Sequence, residues 1–330
     1  MKLCTFEVRT PVGRFRRLGA WREGRIVDLN FACARLLSAK GEPEAQRLAD
    51  AFIPPSMLDF LRVGATADRW ARESLSAISG EPEGPGGEQI VYAESAVRLL
   101  APLPNPPSVR DFYAFEAHVK TGFAKRGEPM PDEWYQMPVY YKSGHHAIIG
   151  TGEDVRWPSF TERFDYELEL AAVIGKRGHD IPASQARDYI AGFTVMNDFS
   201  ARDVQRSEMK VRLGPAKGKD WSTALGPWLV TPEEIGDPYN LEMIARVNGE
   251  VWSRGNSQSM FWKFEQMIEF LSRDDTVLPG DVLGSGTVGG GSGLELDRWV
   301  QPGDVLELEI QKIGVLRNRV VRSAAAKTNS

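Results

Sequence analysis

Short runs of alternating apolar and polar residues dominate this chain and predict a β-rich fold. The stretches TFEVR, GRFRRLGAW and RIVDLN predict three N-terminal strands, and the Glu23–Gly24 pair predicts a tight turn between the last two. Runs of the same kind recur between residues 137 and 321, where the Asn248–Gly249 pair predicts another hairpin. DYELELAAVIG and the apolar stretch before NDFSARDVQ are predicted strands of this second part.

Helical spacing of apolar residues appears in fewer stretches. FACARLLSA and most of residues 44–79 are predicted helices, with a break at Pro54–Pro55. EAHVKTGFAKRG predicts a short helix or a lid, while PASQARDYIAGF and MFWKFEQMIEFLSRD predict two more helices. Strands and helices mixed in this way indicate an α+β protein.

Two segments rich in proline and glycine predict a domain boundary. EPEGPGGEQ, residues 81–89, has almost no apolar content, and a proline cluster begins at residue 101. We therefore expect a small β-rich N-terminal domain with helices over residues 1–100 and a larger catalytic domain over residues 101–330. The last stretch, AAAKTNS, is expected to be frayed.

The composition excludes several classes of protein. The chain has 330 residues, 42% of them hydrophobic and 26% charged, as in a soluble globular protein. A net charge of −5 offers no strongly basic field for nucleic acid, and no run of about 18 apolar residues predicts a membrane span. Cys4 and Cys33 form no CxxC pair, which argues against a zinc knuckle and favours a reduced, cytoplasmic setting.

The stretch DYELEL, residues 165–170, places three acids on alternate positions. In a strand, Asp165, Glu167 and Glu169 share one face and the apolar residues between them share the other. Carboxylates that close repel one another unless a cation lies between them, and Mg²⁺ prefers oxygen ligands. A solvent-facing strand is the alternative, and this stretch taken alone favours it.

A second polar stretch, NDFSARDVQ, follows the apolar run AGFTVM and strengthens the metal interpretation. Asp198 at the end of a strand is well placed to bind a metal ion. Arg202 and Gln205 are three residues apart, so a helical turn places them on one side, where they can bind a carboxylate or carbonyl group. The alternative is a helix cap at Asp203 with a structural Arg–Asp pair.

Three further stretches contain candidate catalytic residues. Lys219, in GPAKGKDW, can stabilise developing negative charge or can be a solvated loop lysine. His118 follows Asp111 and Tyr113 in DFYAFEAHVKTG, and a lone histidine is more often structural than catalytic. The glycine-rich stretch GSGTVGGGSGLEL lacks the GK[ST] of a P-loop, so it is a flexible linker or a substrate loop near Thr287.

Taken in order, DYELELAAVIG, NDFSARDVQ, GKD, GPWLV, VNGE and LPGDVL resemble the motifs of the fumarylacetoacetate hydrolase family, over roughly residues 107–322. The resemblance implies a mixed β-roll whose central site holds Mg²⁺, Mn²⁺ or Ca²⁺, with Mg²⁺ expected here. It implies metal ligands at Glu167, Glu169 and Asp198, with Asp111 as a further ligand. Members of the family are usually homodimers, so a homodimer is expected.

The resemblance also implies the catalytic residues. His118 matches the base that activates water. The shorter branch of the family pairs this histidine with a glutamate three residues later, where this chain has Thr121. The longer branch takes the partner from a GS-x-LEL segment, which here supplies Glu295 on a predicted strand, so the resemblance points to the fumarylacetoacetate hydrolase branch. The implied substrate contacts are Tyr113, Tyr141, Arg202, Gln205 and Thr287.

These residues imply metal-dependent hydrolysis of a carbon–carbon bond in a β-diketo acid, such as a fumarylacetoacetate- or acylpyruvate-like substrate. His118 would activate water, Lys219 with Arg202 would stabilise the oxyanion, and the metal would hold the enolate leaving group. A 2,4-diketo sugar-acid hydrolase is an alternative. So are the oxaloacetate decarboxylases, hydratases and isomerases of the same fold, and a non-catalytic binding module.

Overall fold

The computed structural model describes residues 1–322, and its secondary structure mixes strands and helices as predicted. In the first hundred residues the elements are β1 (Lys2–Thr10), β2 (Gly13–Arg22), β3 (Arg25–Asp28), α1 (Leu29–Ala39), α2 (Ala45–Phe52), α3 (Met57–Val63), α4 (Ala65–Ala77), β4 (Val91–Ala93) and β5 (Arg98–Leu99).

Strands form most of the remaining chain. They are β6 (Val109–Phe112), β7 (Tyr140–Ser143), β8 (Ile148–Ile149), β9 (Asp154–Trp157), β10 (Phe164–Asp165), β11 (Leu168–Ile174), β12 (Gly178–His179), β13 (Ile190–Asp198), β14 (Ser200–Ala201), β15 (Thr223–Val230), β16 (Glu242–Val247), β17 (Glu250–Asn256), β18 (Thr276–Val277), β19 (Val282–Gly284), β20 (Val305–Ile310) and β21 (Gly314–Arg322). The helices between them are α5 (Glu116–Arg126), α6 (Ala183–Ala186), α7 (Arg202–Lys210), α8 (Pro232–Ile235), α9 (Phe264–Ser272) and α10 (Gly293–Leu296).

One large sheet crosses the predicted domain boundary. Its order is β4-β3-β2-β1-β15-β13-β11-β19-β6-β7, with β5 beside β1 and β8 beside β15. The N-terminal strands join the rest through β1, where Lys2 pairs with Val230 and Leu3 with Leu229. The division at residue 100 stays a prediction, and the shared sheet couples its two parts through backbone hydrogen bonds.

The two faces of the large sheet pack against different layers, because side chains alternate along each strand. In β11, Ala171 and Val173 pack with the N-terminal helices, including Leu37 of α1 and Phe60 of α3. Leu170 and the other residues on its face of β11 pack with α9 and with a second sheet of order β17-β16-β20-β21-β9. The fold is therefore layered around the large sheet.

The acids predicted to bind metal continue the apolar rows of the face that contacts the N-terminal helices. In β6, Val109 belongs to that core and Asp111 follows two residues later. In β13, Met196 belongs to it and Asp198 follows. Glu169 lies on the same face at the start of β11. Apolar residues thus give way to carboxylates where neighbouring strands end.

Several local predictions are confirmed and some are wrong. Glu23 and Gly24 both have positive φ angles, as the predicted tight hairpin turn requires. The helix predicted in PASQARDYIAGF is much shorter, because its last residues, from Ile190 on, are buried in β13. Glu295 lies in the short helix α10 and not on a strand. The AAAKTNS stretch lies outside the described residues.

Among residues 1–322, the helices are all too short or too polar to cross a bilayer.

Candidate metal centre and active site

Four buried carboxylates meet at the ends of neighbouring strands. Asp111 comes from β6, Glu169 from β11 and Asp198 from β13, while Glu167 lies just before β11. One oxygen from each lies within 4.8 Å of the others. The strands β13, β11, β19 and β6 are consecutive in the sheet, which brings residues far apart in sequence to one place.

A glycine makes room for this cluster. Gly284 of β19 lies between β11 and β6 and pairs with Asp111 and with Ala171. A Cβ atom at Gly284 would lie 2.3 Å from Oδ1 of Asp111 and 3.0 Å from Oε2 of Glu169. Any larger residue would therefore displace the two carboxylates.

The cluster has the properties of a site for a divalent cation. Oδ1 of Asp198 is buried, and no hydrogen-bond donor among residues 1–322 reaches it. Burial raises the pKa of Glu169 well above its usual value, and the nearby charges of Asp111 and Glu167 raise it further. Burial and the charge of Asp198 raise the pKa of Asp111 in the same way. A hard cation such as Mg²⁺ or Mn²⁺ would relieve this repulsion, so the donor set fits such an ion.

Lys219 lies beside these carboxylates and not in solvent. It is 2% exposed, and its ammonium group bonds Oε2 of Glu167 at 2.5 Å and also Oδ2 of Asp198. Although burial favours the protonated acid, Arg202 and Lys219 hold the pKa of Glu167 below its usual value. The hydroxyl group of Tyr141 donates to the same Oδ2 of Asp198.

Asp165 does not line the cluster, which corrects the expectation that it shares a face with Glu167 and Glu169. The strand is interrupted between β10 and β11, so the alternation does not extend back to Asp165. Its carboxylate accepts a hydrogen bond from Nε of Arg202 at 2.7 Å. Nη2 of Arg202 bonds Oε1 of Glu167 at 2.8 Å, so Arg202 bridges the two acids.

His118 and Glu295 lie side by side next to the acids. Nδ1 of His118 is 2.8 Å from Oε2 of Glu295, and Nε2 is 3.9 Å from Oε1 of Glu167. The close approach at Nδ1 is poorly aligned for a hydrogen bond. Glu295 is itself fixed by the amide of Gly290 at 2.9 Å and the hydroxyl group of Ser292 at 3.0 Å. One imidazole nitrogen thus faces the metal candidates and the other faces a carboxylate.

A cavity of about 1010 Å³ opens over this arrangement. Of the residues predicted for the site, those that line it are Asp111, Tyr113, His118, Tyr141, Glu167, Glu169, Arg202, Gln205, Lys219, Thr287 and Glu295. Asp198 is fully buried and does not line the cavity, because Tyr141 and Lys219 cover its Oδ2. The structure therefore brings every predicted site residue to one place, while their roles stay predictions.

The predicted substrate contacts have the following partners. Oε1 of Gln205 accepts a hydrogen bond from Nη1 of Arg202 at 3.2 Å, and the Thr287 hydroxyl group is 3.5 Å from Oε1 of Glu169. The ring of Tyr113 packs edge-on against His118. Each of these side chains contacts a residue of the inner site.

Sequence reasoning missed Gly284 and the contacts of Asp165. The glycine has a sequence signal, because it stands just after the strand-like VL and before a polar loop, where a close backbone approach is common. Asp165 gave no such signal, because its partners come from distant parts of the chain.

Comparisons with known proteins give a family match. The family model for the fumarylacetoacetate (FAA) hydrolase C-terminal domain matches residues 108–321. A mitochondrial oxaloacetate tautomerase of Homo sapiens is 35% identical over 323 residues, which cover 97% of this chain and 92% of the relative.

Solved structures give the same result. A putative HpcE protein from Mycobacterium smegmatis has a TM-score of 0.71 at 25% identity, covering 98% of this chain and 100% of that one. A fumarylpyruvate hydrolase from Pseudomonas aeruginosa, in complex with Mn²⁺ and pyruvate, has a TM-score of 0.58 at 27% identity, covering 66% and 91%. These matches confirm the predicted fold, and the family match over most of the chain shows that it belongs to the fumarylacetoacetate hydrolase family.

Proposed function

We propose that this chain is a metal-dependent enzyme that moves a proton at the carbon next to the keto group of a small 2-oxo acid. The reaction we propose first is keto–enol tautomerisation of a β-oxo diacid such as oxaloacetate. The observation that carries the proposal is the position of His118, between the four acids and Glu295. The relatives that match almost the whole chain support the choice of reaction.

The residues present fit a divalent cation held by Asp111, Glu167, Glu169 and Asp198. When bound there, such a cation polarises the keto group and makes the neighbouring C–H group more acidic. Mg²⁺ is the ion we propose, and Mn²⁺ is the ion named in a related structure. The cavity leaves the substrate free to approach from the side of His118.

His118 is the proposed base. In the tautomer with hydrogen on Nδ1, that nitrogen lies 2.8 Å from Oε2 of Glu295, and a small turn of the ring would align it to donate there. Nε2 is then free to accept the proton from carbon. The same nitrogen then returns the proton to the oxygen, so the substrate gains and loses nothing overall. Glu295 stabilises the imidazolium formed between these two steps.

Lys219 and Arg202 position the acids and can stabilise charge on the substrate oxygen. The ammonium group of Lys219 has three N–H donors and uses two of them for Glu167 and Asp198. A third donor remains for an oxygen that becomes negative. Both side chains lie in the buried part of the cavity, where such a bond is stronger than in water.

Hydrolysis of a carbon–carbon bond in a β-diketo acid is the second candidate. A histidine held beside a glutamate can activate water as well as remove a proton from carbon. The cavity of about 1010 Å³ exceeds what a four-carbon acid needs, which favours a larger substrate such as a fumarylacetoacetate- or acylpyruvate-like acid. We also propose a homodimer in the cytoplasm, on the basis of the sequence alone.

One experiment separates the two reactions. Purified protein with Mg²⁺ is given oxaloacetate in its enol form, and ultraviolet absorbance follows the conversion to the keto form. An acylpyruvate is tested in parallel, with products identified by mass spectrometry. Accelerated conversion of the enol that EDTA abolishes is the expected result, while cleavage of the acylpyruvate alone supports the hydrolase. If neither substrate reacts, both candidate reactions are wrong for these acids.

A histidine variant tests the base. His118→Gln should lower kcat by about 10²- to 10⁴-fold and leave Mn²⁺ binding unchanged, since the acids remain. His145→Gln is the matched control, because His145 contacts the Pro106 carbonyl group and does not line the cavity. Equal kcat values for His118→Gln and wild type would remove His118 from the mechanism.

A further inference from the structure

We infer that Asp165 is a positioning residue that fixes Glu295 and Arg202 together, an inference that rests on the proposed function. Asp165 is completely buried and does not line the cavity. Its carboxylate accepts hydrogen bonds from four donors: the amides of Tyr166 (2.9 Å), Gly293 (2.8 Å) and Leu294 (3.0 Å), and Nε of Arg202 (2.7 Å).

The first branch of this network reaches the proposed base. Gly293 and Leu294 open the short helix α10, and Glu295 is the next residue. A helix of one turn leaves all its first amides without partners inside the helix, so an outside acceptor is needed. Asp165 supplies that acceptor for two of them. It thereby fixes the backbone that carries Glu295, the partner of His118.

The second branch of the network reaches the candidate metal ligands. Arg202 uses Nε for Asp165, Nη2 for Oε1 of Glu167 and Nη1 for Oε1 of Gln205, so its planar guanidinium group is held at three points. Removing the Asp165 acceptor would leave only the two contacts at the Nη atoms to orient the group. The buried Asp165 carboxylate thus orients the guanidinium group of Arg202 on one side and the backbone that carries Glu295 on the other.

The tight packing around Gly293 supports this interpretation independently of the hydrogen bonds. A Cβ atom there would lie 2.6 Å from Oδ1 of Asp165 and 2.2 Å from the carbonyl oxygen of Arg298. The backbone of Gly293 therefore lies directly against the Asp165 carboxylate, with no room for a side chain between them. Only a residue without a side chain permits both contacts.

The chain contains a matched control for this arrangement. Asp28 is also completely buried, accepts two bonds from Arg17 and accepts the amide of Phe31 at the start of α1. It lies in the N-terminal segment and does not line the cavity. A residue that only stabilises the fold should behave like Asp28.

Asp165→Asn is the test. Asparagine keeps one acceptor oxygen. Its NH₂ group must replace either Oδ1, which accepts the amides of Tyr166 and Gly293, or Oδ2, which accepts the amide of Leu294 and Nε of Arg202. In either orientation the NH₂ group faces two donors, and one α10 amide loses its acceptor. We expect kcat to fall by about 100-fold while KM changes much less, because the catalytic groups are misplaced and the substrate contacts remain. Hydrogen exchange of the amides in residues 293–296 should become faster. Asp28→Asn should leave kcat and this exchange unchanged.

The outcomes separate the inference from the proposed function. Wild-type kcat in Asp165→Asn would overturn the inference even when wild type turns over the substrate as proposed. If wild type turns over neither candidate acid, the proposed function fails, and unchanged exchange at residues 293–296 would still overturn the role of Asp165 as the anchor of α10.

If Asp165→Asn does not fold, Gly293→Ala decides. It keeps the Asp165 carboxylate but forces the loop away from it. A selective loss of kcat supports the inference, and wild-type kcat overturns it.

Discussion

Two buried Asp–Arg pairs in this molecule have nearly the same geometry and different surroundings. Asp28 and Arg17 are joined at 2.6 and 3.0 Å in the N-terminal segment. Asp165 and Arg202 are joined at 2.7 Å beside the candidate site. Both aspartates are fully buried, and each also accepts backbone amides at the start of a helix.

The difference lies in what the arginines contact next. Arg17 also donates to the side chain of Asn30 and stacks over the ring of Phe31, and it does not line the cavity. Arg202 continues to Glu167 and Gln205 and lines the cavity. The Asp28–Arg17 pair therefore stabilises the start of a helix. The Asp165–Arg202 pair connects the loop before Glu295 to the carboxylate cluster through the Arg202 guanidinium group.

Removal of the two arginines should give the largest contrast. Arg202→Ala leaves Asp165 and Glu167 buried without their partner, so unfolding free energy should fall by about 3–5 kcal/mol and activity should be lost. Arg17→Ala leaves one buried acid, Asp28, without its partner, so it should reduce stability and leave kcat unchanged. Chemical denaturation and turnover measure both. Retained activity in Arg202→Ala would show that the Asp165–Arg202 pair, like the Asp28–Arg17 pair, only stabilises the fold.

Two crowded glycines provide the next contrast. Gly284→Ala forces a methyl group against Asp111 and Glu169, so Mn²⁺ affinity should fall at least tenfold along with kcat. In Gly19→Ala the methyl group meets the apolar side chains of Ile26 and Phe6, so the variant should cost about 1–3 kcal/mol of stability without any change in Mn²⁺ affinity. Calorimetric titration of both variants checks this. Equal Mn²⁺ affinity in both would show that the carboxylates do not depend on Gly284.

The smallest expected effect is that of Asp28→Asn. The variant loses a charged acceptor for Arg17 and weakens the start of α1, so unfolding free energy should fall by about 1–3 kcal/mol. Because Asp28 does not line the cavity, kcat should stay at the wild-type value. A fall in kcat would mean that the N-terminal region influences the site.

The sequence predicts the positions of the acids because alternation along a strand is a local property. Glu167 and Glu169 follow it, as do Tyr166 and Leu168 on the opposite core face. Asp165 departs from it because the strand is interrupted between residues 165 and 168. No propensity in DYELEL indicates this interruption.

The element that carries Glu295 could not be predicted for a different reason. Its glycine-rich sequence has no hydrophobic period, and its conformation depends on an acceptor 128 residues away in sequence. Lys219 is a similar case. A loop lysine and a buried ligand partner look the same locally, and only contacts with Glu167 and Asp198 distinguish them.

The pairing of β1 with β15 could not be predicted from the sequence either. The strands themselves were predicted, but their register joins the chain terminus to a distant segment, and the sequence carries no local signal for such pairing. Hydrophobic alternation says which face a strand buries and leaves its neighbours open.

The central claim is that four carboxylates hold a divalent cation beside His118. Calorimetric titration of wild type and Asp198→Asn with Mn²⁺ tests it most directly, because Oδ1 of Asp198 has no other partner among the described residues. The account predicts one ion bound per wild-type chain, and an affinity at least tenfold weaker in the variant. No binding by wild type, or equal binding by both, would contradict it.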